Sequence, residues 1–270
     1  SILYSNKGGG EILKKRKLLA AFLAVMALAA GCGQKEDREN PDDKSSEQVE
    51  EEAPEMNSEA VTNAVLPEKL EEIPQEYFEE SEYPGTLVEL EYDTYESMSY
   101  EEQDQILHKR AIVYLPCGYS DEEQYNVFYL MHGGWSDETT YLGTPDSPNE
   151  FKNVLDHGIA DGKIRPVIVV CPTYNNTSPD DSADYSLALQ LTDNYHQELV
   201  NDLIPAVEGT YSTYAENTTA DGIRASRDHR AFCGFSMGSV ATWRTFQHCL
   251  EDFRWFRPSS GSLTASGEAV

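Results

Sequence analysis

The sequence predicts an α/β fold: a mostly parallel β-sheet flanked by helices on both faces, which makes a three-layer sandwich. From residue 85 onward, apolar strand-like runs alternate with helix-like segments, as they do in strand–helix–strand units. Two of these runs, "VFYLM" and "VIVVC", are apolar at every position. Parallel strands that are buried on both faces have this composition.

The sheet is predicted to open with two antiparallel strands, because the first, in residues 85–96, alternates apolar and polar residues like a half-buried strand. Gly162 is expected to close the first helix and Pro205 to kink the second. The later strands are predicted within 109–119, 125–134, 165–174, 228–236 and 255–262, and the helices within 149–162, 192–211 and 237–253.

The 270-residue chain carries a net charge of −28, and much of it lies in residues 34–84. That segment is rich in Glu, Asp, Ser and Pro, and it holds too little apolar surface to offset its ordering entropy. It is therefore predicted to be an acidic disordered linker. A solvated helix within a domain is the alternative, and it fits only "LPEKLEEIPQEY", residues 66–77, and its neighbours. The charge also argues against nucleic acid or an anionic membrane surface as a partner.

Residues 1–33 are predicted to comprise upstream residues and a lipoprotein-type signal peptide. Four cations, Lys14 to Lys17, precede an apolar run, Leu18 to Ala30, which is too short to span a bilayer comfortably. "LAAGC" then resembles a bacterial lipoprotein signal, in which Cys32 would be lipidated. An ordinary secretory signal is the alternative. Because no Met precedes the cations, the true start is expected near Leu13.

The other four cysteines are scattered, without C-x-x-C or metal-like spacing, and are predicted to be buried, inert thiols. The alternative is one disulfide bond between two of them, since disulfides form in exported proteins. Neither a metal nor a cofactor is assigned. These cysteines are Cys117, Cys171, Cys233 and Cys249.

The candidate nucleophile is Ser236, at the centre of "GFSMG". By chance, G-x-S-x-G should occur in about one chain in ten of this length, so the bare pattern is weak. Its context strengthens it, because an apolar strand precedes the motif and a helix follows. A catalytic serine of this type stands on a sharp turn between a strand and a helix.

A second segment, "LMHGGW", ends another buried strand and predicts the oxyanion hole. Ester hydrolysis through a serine needs two backbone N–H donors for the tetrahedral oxyanion. Met237, directly after the serine, supplies one, and Gly134 or Trp135 supplies the other. His132 is expected to be a structural loop histidine, since its place in that loop is wrong for a catalytic base.

In order along the chain, "RAIVYLPCGY", "YNVFYLMHGGWSDE", "VIVVCPTYNN" and "SRDHRAFCGFSMGSVATW" resemble the esterase-D-like α/β-hydrolases. That group is similar to the feruloyl and acetyl-xylan esterases of carbohydrate esterase family 1. The resemblance covers about residues 87–262. It implies an α/β-hydrolase fold and a Ser-His-Asp esterase that removes acyl groups from plant-wall polysaccharides or similar sugars.

The chain departs from this pattern after Ser236, where the triad His and Asp are expected two strands further on. The only later histidine, His248, lies in a predicted helix and is interpreted as structural; Glu251 and Asp252 share that helix. The triad His and Asp are therefore predicted to be absent from this chain. The esterase domain, residues 85–270, is expected to be incomplete, with its C-terminal strands missing.

Four residues are predicted to rim the cleft and bind substrate: Trp135, Tyr141, Tyr174 and Asn175. Ordinary packing is the alternative for each aromatic side chain. The polar loop "NNTSPDDSADYS" could contact sugar hydroxyls; its aspartates lack the spacing of a Ca²⁺ loop.

The leading functional hypothesis is an exported, lipid-anchored serine esterase that acts on feruloyl or acetyl groups of a polysaccharide such as xylan. One alternative keeps the fold as a thioesterase, a siderophore esterase or a mycolyl-transfer type of acyltransferase. Another is a surface carbohydrate-binding protein with a dead site.

Overall fold

The computed structural model describes residues 72–261. The predicted signal, the lipidated Cys32 and most of the linker lie outside these residues. So do residues 262–270.

Six strands form one sheet, and all six were predicted. They are β1 (Thr86–Tyr95), β2 (Ile106–Leu115), β3 (Asn126–Met131), β4 (Val167–Cys171), β5 (Arg230–Phe235) and β6 (Trp255–Ser259). Their order across the sheet is β1-β2-β4-β3-β5-β6. β1 pairs antiparallel with β2, and β2 with β4, whereas β4, β3, β5 and β6 run parallel. The antiparallel opening and the parallel remainder are therefore confirmed.

The helices are α1 (Glu150–Ala160), α2 (Tyr185–Glu198), α3 (Ile204–Thr210), α4 (Ala220–Ala225) and α5 (Met237–His248). The three predicted helical regions are confirmed, and α4 was not predicted. The second begins at Tyr185 rather than at residue 192. Its cap is Asp184, whose carboxylate accepts hydrogen bonds from the amides of Ser186 and Leu187 at 2.9 and 3.0 Å.

The predicted kink at Pro205 corresponds to a π-helical turn, Leu199–Leu203, between α2 and α3. Pro205 is the second residue of α3, where its missing N–H is tolerated best. Short 3₁₀ segments occur at Gln75–Phe78, Ser97–Glu102, Asp181–Ala183 and Arg227–His229, and a two-residue hairpin pairs Gly143–Thr144 with Ser147–Pro148.

Helices cover both faces of the sheet, as predicted. Alternate strand residues, such as Val113, Tyr129, Val170 and Phe232, join one apolar cluster with side chains of α2 and α5. Their neighbours point to the opposite face, where the Tyr114 hydroxyl donates to Asp156 of α1 at 2.7 Å.

The folded region begins before the predicted boundary at residue 85. Tyr77 and Phe78 are 6% and 7% exposed, and the Tyr77 hydroxyl donates to the Asp161 carboxylate. The Tyr77 ring stacks on His157 with centroids 5.1 Å apart. The prediction of a disordered linker is therefore wrong for these residues, because their aromatic side chains pack against α1 and its end.

The burial predicted for the cysteines is confirmed for Cys171, Cys233 and Cys249, each 1% exposed, whereas Cys117 is exposed. Burial raises the pKa of the Cys249 thiol to about 12 and moves the other two in the same direction. These four thiols are free within the described region.

In the part of the chain that the structure describes, no helix is both long and apolar enough to cross a membrane. Within the same residues β6 pairs only with β5. That further strands follow it stays a prediction.

Arg230 at the start of β5 ties several elements together and is 1% exposed. Its Nε and Nη2 donate to the Glu208 carboxylate of α3 at 2.5 and 2.7 Å. The remaining N–H groups reach the carbonyls of Ile223 and Asp252 and the hydroxyl of Ser226, at 2.9, 2.5 and 2.8 Å. Five donors thus have five acceptors, an arrangement that only a guanidinium can satisfy.

We predict that Arg230→Lys lowers the free energy of unfolding by about 3 kcal/mol, because an ammonium group leaves buried acceptors without donors. The matched control is Arg254→Lys, at an arginine whose side chain is 40% exposed. Urea denaturation of both variants tests this; an equal, small effect in the two would contradict it.

Candidate active site

The predicted serine and the predicted oxyanion loop meet at one edge of the sheet. β3, β4 and β5 are parallel, so the loops that follow their carboxyl ends converge there. A Cβ atom on Gly133 would lie 3.4 Å from Ser236 Cβ and 4.0 Å from its Oγ. The HGGW loop and the serine are therefore in direct contact.

Ser236 occupies a strained turn between β5 and α5, with φ 58° and ψ −117°. A non-glycine residue in such a conformation costs about 1–3 kcal/mol and needs support from its surroundings. The support comes from both sides: the Ser236 amide donates to the Ser259 carbonyl at 2.9 Å, and its carbonyl accepts from Ser239 and Val240. The side chain is left exposed to solvent.

The two glycines of the motif allow backbones to touch. A Cβ on Gly234 would lie 2.2 Å from the Gly238 carbonyl oxygen, and one on Gly238 would lie 2.3 Å from that of Met131. Helix α5 therefore crosses β5 and β3 with no side chain between them. Such contacts explain why this G-x-S-x-G requires glycine at both ends.

A cavity of about 320 Å³ opens beside Ser236. Two exposed aromatic side chains flank it: Trp135 is 76% exposed and Tyr185 is 55% exposed. Its walls combine apolar and small polar groups: Gly134, Trp135, Ser182, Tyr185, Leu189, Ser236, Met237, Val240, Ser260 and Gly261.

The structure distinguishes the candidate oxyanion donors. Met237 is the first residue of α5, where an amide has no partner within its helix. Within residues 72–261 neither this amide nor that of Gly134 donates to an acceptor. The Trp135 amide, by contrast, donates to the Ser182 carbonyl at 3.0 Å. Its predicted role as an oxyanion donor is therefore wrong, while its side chain lines the cavity.

The other predicted substrate-binding residues do not line this cavity. Tyr174 and Asn175 are 0% and 4% exposed, because they follow β4 into the protein and connect loops. The Asn175 amide group donates to the carbonyls of Ser136 and Pro179 at 3.1 and 2.8 Å. The half-buried Tyr141 ring lies near Phe151, with centroids 6.2 Å apart. The prediction that Tyr174 and Asn175 rim the cleft is corrected accordingly, whereas a place for Tyr141 at the rim stays a prediction.

His132 is buried, with 1% exposure, and burial lowers its pKa to about 4. It is therefore neutral near pH 7. Its two ring nitrogens contact the Gly133 carbonyl and the Thr173 hydroxyl, both at 2.7 Å. These contacts connect the loop after β3 to the segment after β4, so His132 has a structural role in this loop.

All six histidines of the sequence fall within the described residues, and none hydrogen-bonds to Ser236. His248 is exposed and stacks on His196 with centroids 4.1 Å apart. The Glu251 side chain is 77% exposed and pairs with Arg224, to which Asp252 is also close. Within residues 72–261 no histidine is therefore placed to take the proton of Ser236. Within residues 72–261 no cluster of His, Cys, Asp and Glu could hold a metal ion.

Sequence reasoning missed Tyr185, Ser182 and Leu189 as cavity residues. The first two were assigned to the polar loop as a whole, and Leu189 belongs to the unrecognised first turns of α2. Asp184 followed by "YSLALQL" is a helix-start signal that could have identified them.

Several known proteins are similar to this chain in sequence or in structure. The family model described as "Putative esterase" matches residues 108–253, more than half of the chain. Over 153 residues the chain is 44% identical to endo-1,4-beta-xylanase Y of Acetivibrio thermocellus, covering 57% of this chain and 13% of that protein. It is 33% identical over 139 residues to an endo-1,4-beta-xylanase/feruloyl esterase of Xylanibacter ruminicola, covering 49% of this chain and 16% of that protein.

A solved structure is also similar: the feruloyl esterase module from Clostridium thermocellum, a serine-to-alanine mutant complexed with sinapinate. It is 38% identical with a TM-score of 0.55, and the match covers 68% of this chain and 57% of that one. The chain thus spans less than a fifth of the two curated relatives and under two thirds of the solved module.

We predict that Gly238→Ala lowers the free energy of unfolding by about 3 kcal/mol, because the added methyl meets backbone that cannot move aside. The control is Gly209→Ala in α3, where the nearest atom is the flexible Thr218 side chain at 3.3 Å. Thermal and urea unfolding measure both. Equal stability of Gly238→Ala and wild type would contradict the close crossing.

We predict that buried His132 makes the protein less stable as the pH falls from about 6.5 to about 4. The unfolded chain protonates this histidine in that window and the folded chain does not. The unfolded state therefore binds more protons, and acid favours it by up to about 1.4 kcal/mol per pH unit. Comparing wild type with His132→Asn isolates this contribution; parallel stability curves over the window would contradict it.

Proposed function

This chain belongs to the esterase family whose model matches residues 108–253, and from that membership we propose that it is a serine esterase with Ser236 as nucleophile. The observation that carries the proposal is the strained turn of Ser236, with φ 58°, ψ −117° and an exposed side chain. Strained residues of this kind cluster at active sites, where the strain is part of the mechanism. Here it presents the hydroxyl to the cavity.

The proposed reaction begins when Ser236 Oγ attacks the ester carbonyl and loses its proton to a general base. The carbonyl oxygen becomes an oxyanion, held by the amides of Met237 and Gly134. Collapse of this intermediate expels the alcohol, which takes up the proton, and leaves an acyl-serine. Water then attacks the acyl-serine through the same oxyanion hole, releasing the acid and restoring Ser236.

The proposed substrate is an acyl ester on a plant-wall polysaccharide such as xylan, with a feruloyl rather than an acetyl group favoured. The cavity supports the aromatic acyl group, since Trp135 and Tyr185 offer exposed rings near Ser236 against which a planar ring could pack. The names of two relatives, a xylanase/feruloyl esterase and a feruloyl esterase module complexed with sinapinate, point to the same chemistry.

We further propose that the protein is exported and anchored to the membrane through a lipid on Cys32, with the acidic segment as tether. The supporting observation is the order of cations, apolar run and "LAAGC" in residues 14–32. Such an anchor would keep the esterase at the cell surface, where a polysaccharide substrate is found.

We predict that Ser236→Ala abolishes hydrolysis of methyl ferulate by the complete gene product, with a loss of at least about 10³-fold in kcat, because the nucleophile is removed. Ser239→Ala, one turn into α5, is the matched control and should keep activity near wild type. Release of ferulate, measured by chromatography beside acetate release from acetylated xylan, reports rate and acyl preference together. Persistence of turnover in Ser236→Ala would overturn the assignment.

A further inference from the structure

We propose that His132 and Tyr174 are positioning residues that together hold the Gly133–Gly134 peptide, so that the Gly134 N–H faces the oxyanion. This inference rests on the proposed esterase function and adds two residues to its machinery. It also gives a role to a buried histidine and a buried tyrosine that do not line the cavity beside Ser236.

Two hydrogen bonds converge on one carbonyl oxygen. The oxygen of Gly133 lies 2.7 Å from His132 Nδ1 and 2.9 Å from the Tyr174 hydroxyl, which donates to it. A carbonyl oxygen has two lone pairs, so both are used. The His132 and Tyr174 rings stack with centroids 4.5 Å apart and planes at 25°. The two donors therefore lie side by side and reach the Gly133 oxygen from the same side.

That carbonyl belongs to the same peptide unit as the Gly134 N–H. Because the peptide group is planar, fixing the direction of the oxygen also fixes the direction of the N–H. Hydrogen bonds to the oxygen polarise the amide as well, which makes its N–H a stronger donor. Glycines on both sides of this peptide would otherwise leave it free to rotate.

The hydrogen bonds define the state of His132. Since the Gly133 carbonyl can only accept, Nδ1 carries the proton, and Nε2 accepts from the Thr173 hydroxyl at 2.7 Å. The amide of Asn175 donates to the same hydroxyl oxygen at 3.0 Å, which fixes its orientation. His132 therefore acts as a neutral donor.

A buried ion pair holds the segment that orients His132. Lys109 Nζ of β2 donates to the Thr173 carbonyl at 2.8 Å and pairs with Glu198 of α2 at 2.7 Å. Glu198 also accepts from the Tyr92 hydroxyl of β1 at 2.6 Å. The next peptide of the loop is held too, through the bond from the Trp135 amide to Ser182. The Gly133–Gly134 peptide is thus fixed from both ends by rigid elements.

Tyr174→Phe tests the proposal, because it removes one of the two donors and keeps the stacked ring. We expect kcat for methyl ferulate to fall about tenfold with KM within about twofold, since a misdirected donor weakens only the transition state. Tyr195→Phe is the matched control: it is 1% exposed, and within residues 72–261 its hydroxyl has no hydrogen-bond partner. An unchanged kcat in Tyr174→Phe, or equal losses in both variants, would overturn the proposal.

His132 offers a second, paired test. An asparagine amide reaches the position of the imidazole Nδ1, whereas a glutamine amide reaches that of Nε2. We expect His132→Asn to keep kcat within about threefold of wild type and His132→Gln to lose about tenfold. The reverse order would contradict the proposal. Thermal unfolding of each variant checks that it is folded at the temperature at which kcat is measured.

The amide resonance of Gly134 in ¹⁵N-labelled protein separates this inference from the proposed function. We expect it to move upfield in Tyr174→Phe and to stay in place in Tyr195→Phe, because only the former weakens the peptide's polarisation. A resonance that does not move would overturn the proposal that His132 and Tyr174 hold this peptide, whether or not the protein hydrolyses esters. Equal turnover by wild type and Ser236→Ala would overturn the esterase assignment. The Gly134 resonance would still test the roles of His132 and Tyr174 in that case.

Discussion

The structure depends on one constraint, the close contact of backbones where α5 leaves β5. Gly234 and Gly238 let the first turn of α5 lie directly against β5 and β3, and that contact forces Ser236 into its strained conformation. The same geometry leaves the Met237 amide at an open helix start and brings the loop after β3 against the serine. A side chain at either glycine would separate these elements, so the proposed nucleophile and the proposed oxyanion donors share one structural cause.

The polar groups behind this contact explain how it stays rigid. Arg230, at the opposite end of β5, has an acceptor for each of its five N–H donors. Lys109 pairs with Glu198 and donates to the carbonyl of Thr173, whose hydroxyl contacts His132. Buried charges destabilise a protein unless they are paired and hydrogen-bonded, so such groups favour one arrangement of the chain over its alternatives. Neutral His132 belongs to this framework, because a proton on it would be buried without a compensating charge.

Much of the fold could be read from the sequence, because strand burial and helix periodicity leave direct patterns. Six strands, their parallel core and the turn at Ser236 all followed from such patterns and from a resemblance to known esterases. What could not be read depends on contacts between distant segments. Neither the burial of Tyr174 and Asn175 nor the bond from the Trp135 amide to Ser182 has a local sequence signal. The packing of Tyr77 on α1 could not be predicted either, because Tyr77 lies in an acidic stretch and its partners are distant in the sequence.

The central claim, that Ser236 is an activated nucleophile, is tested most directly by covalent labelling of the complete gene product. Diethyl p-nitrophenyl phosphate transfers a diethylphosphoryl group to an activated serine and releases p-nitrophenolate, which can be counted as it forms. Peptide mass spectrometry then locates the label. The account predicts one label per chain, on the peptide that contains Ser236, and none after Ser236→Ala. A label on another residue, or no p-nitrophenolate burst from an otherwise folded protein, would contradict it.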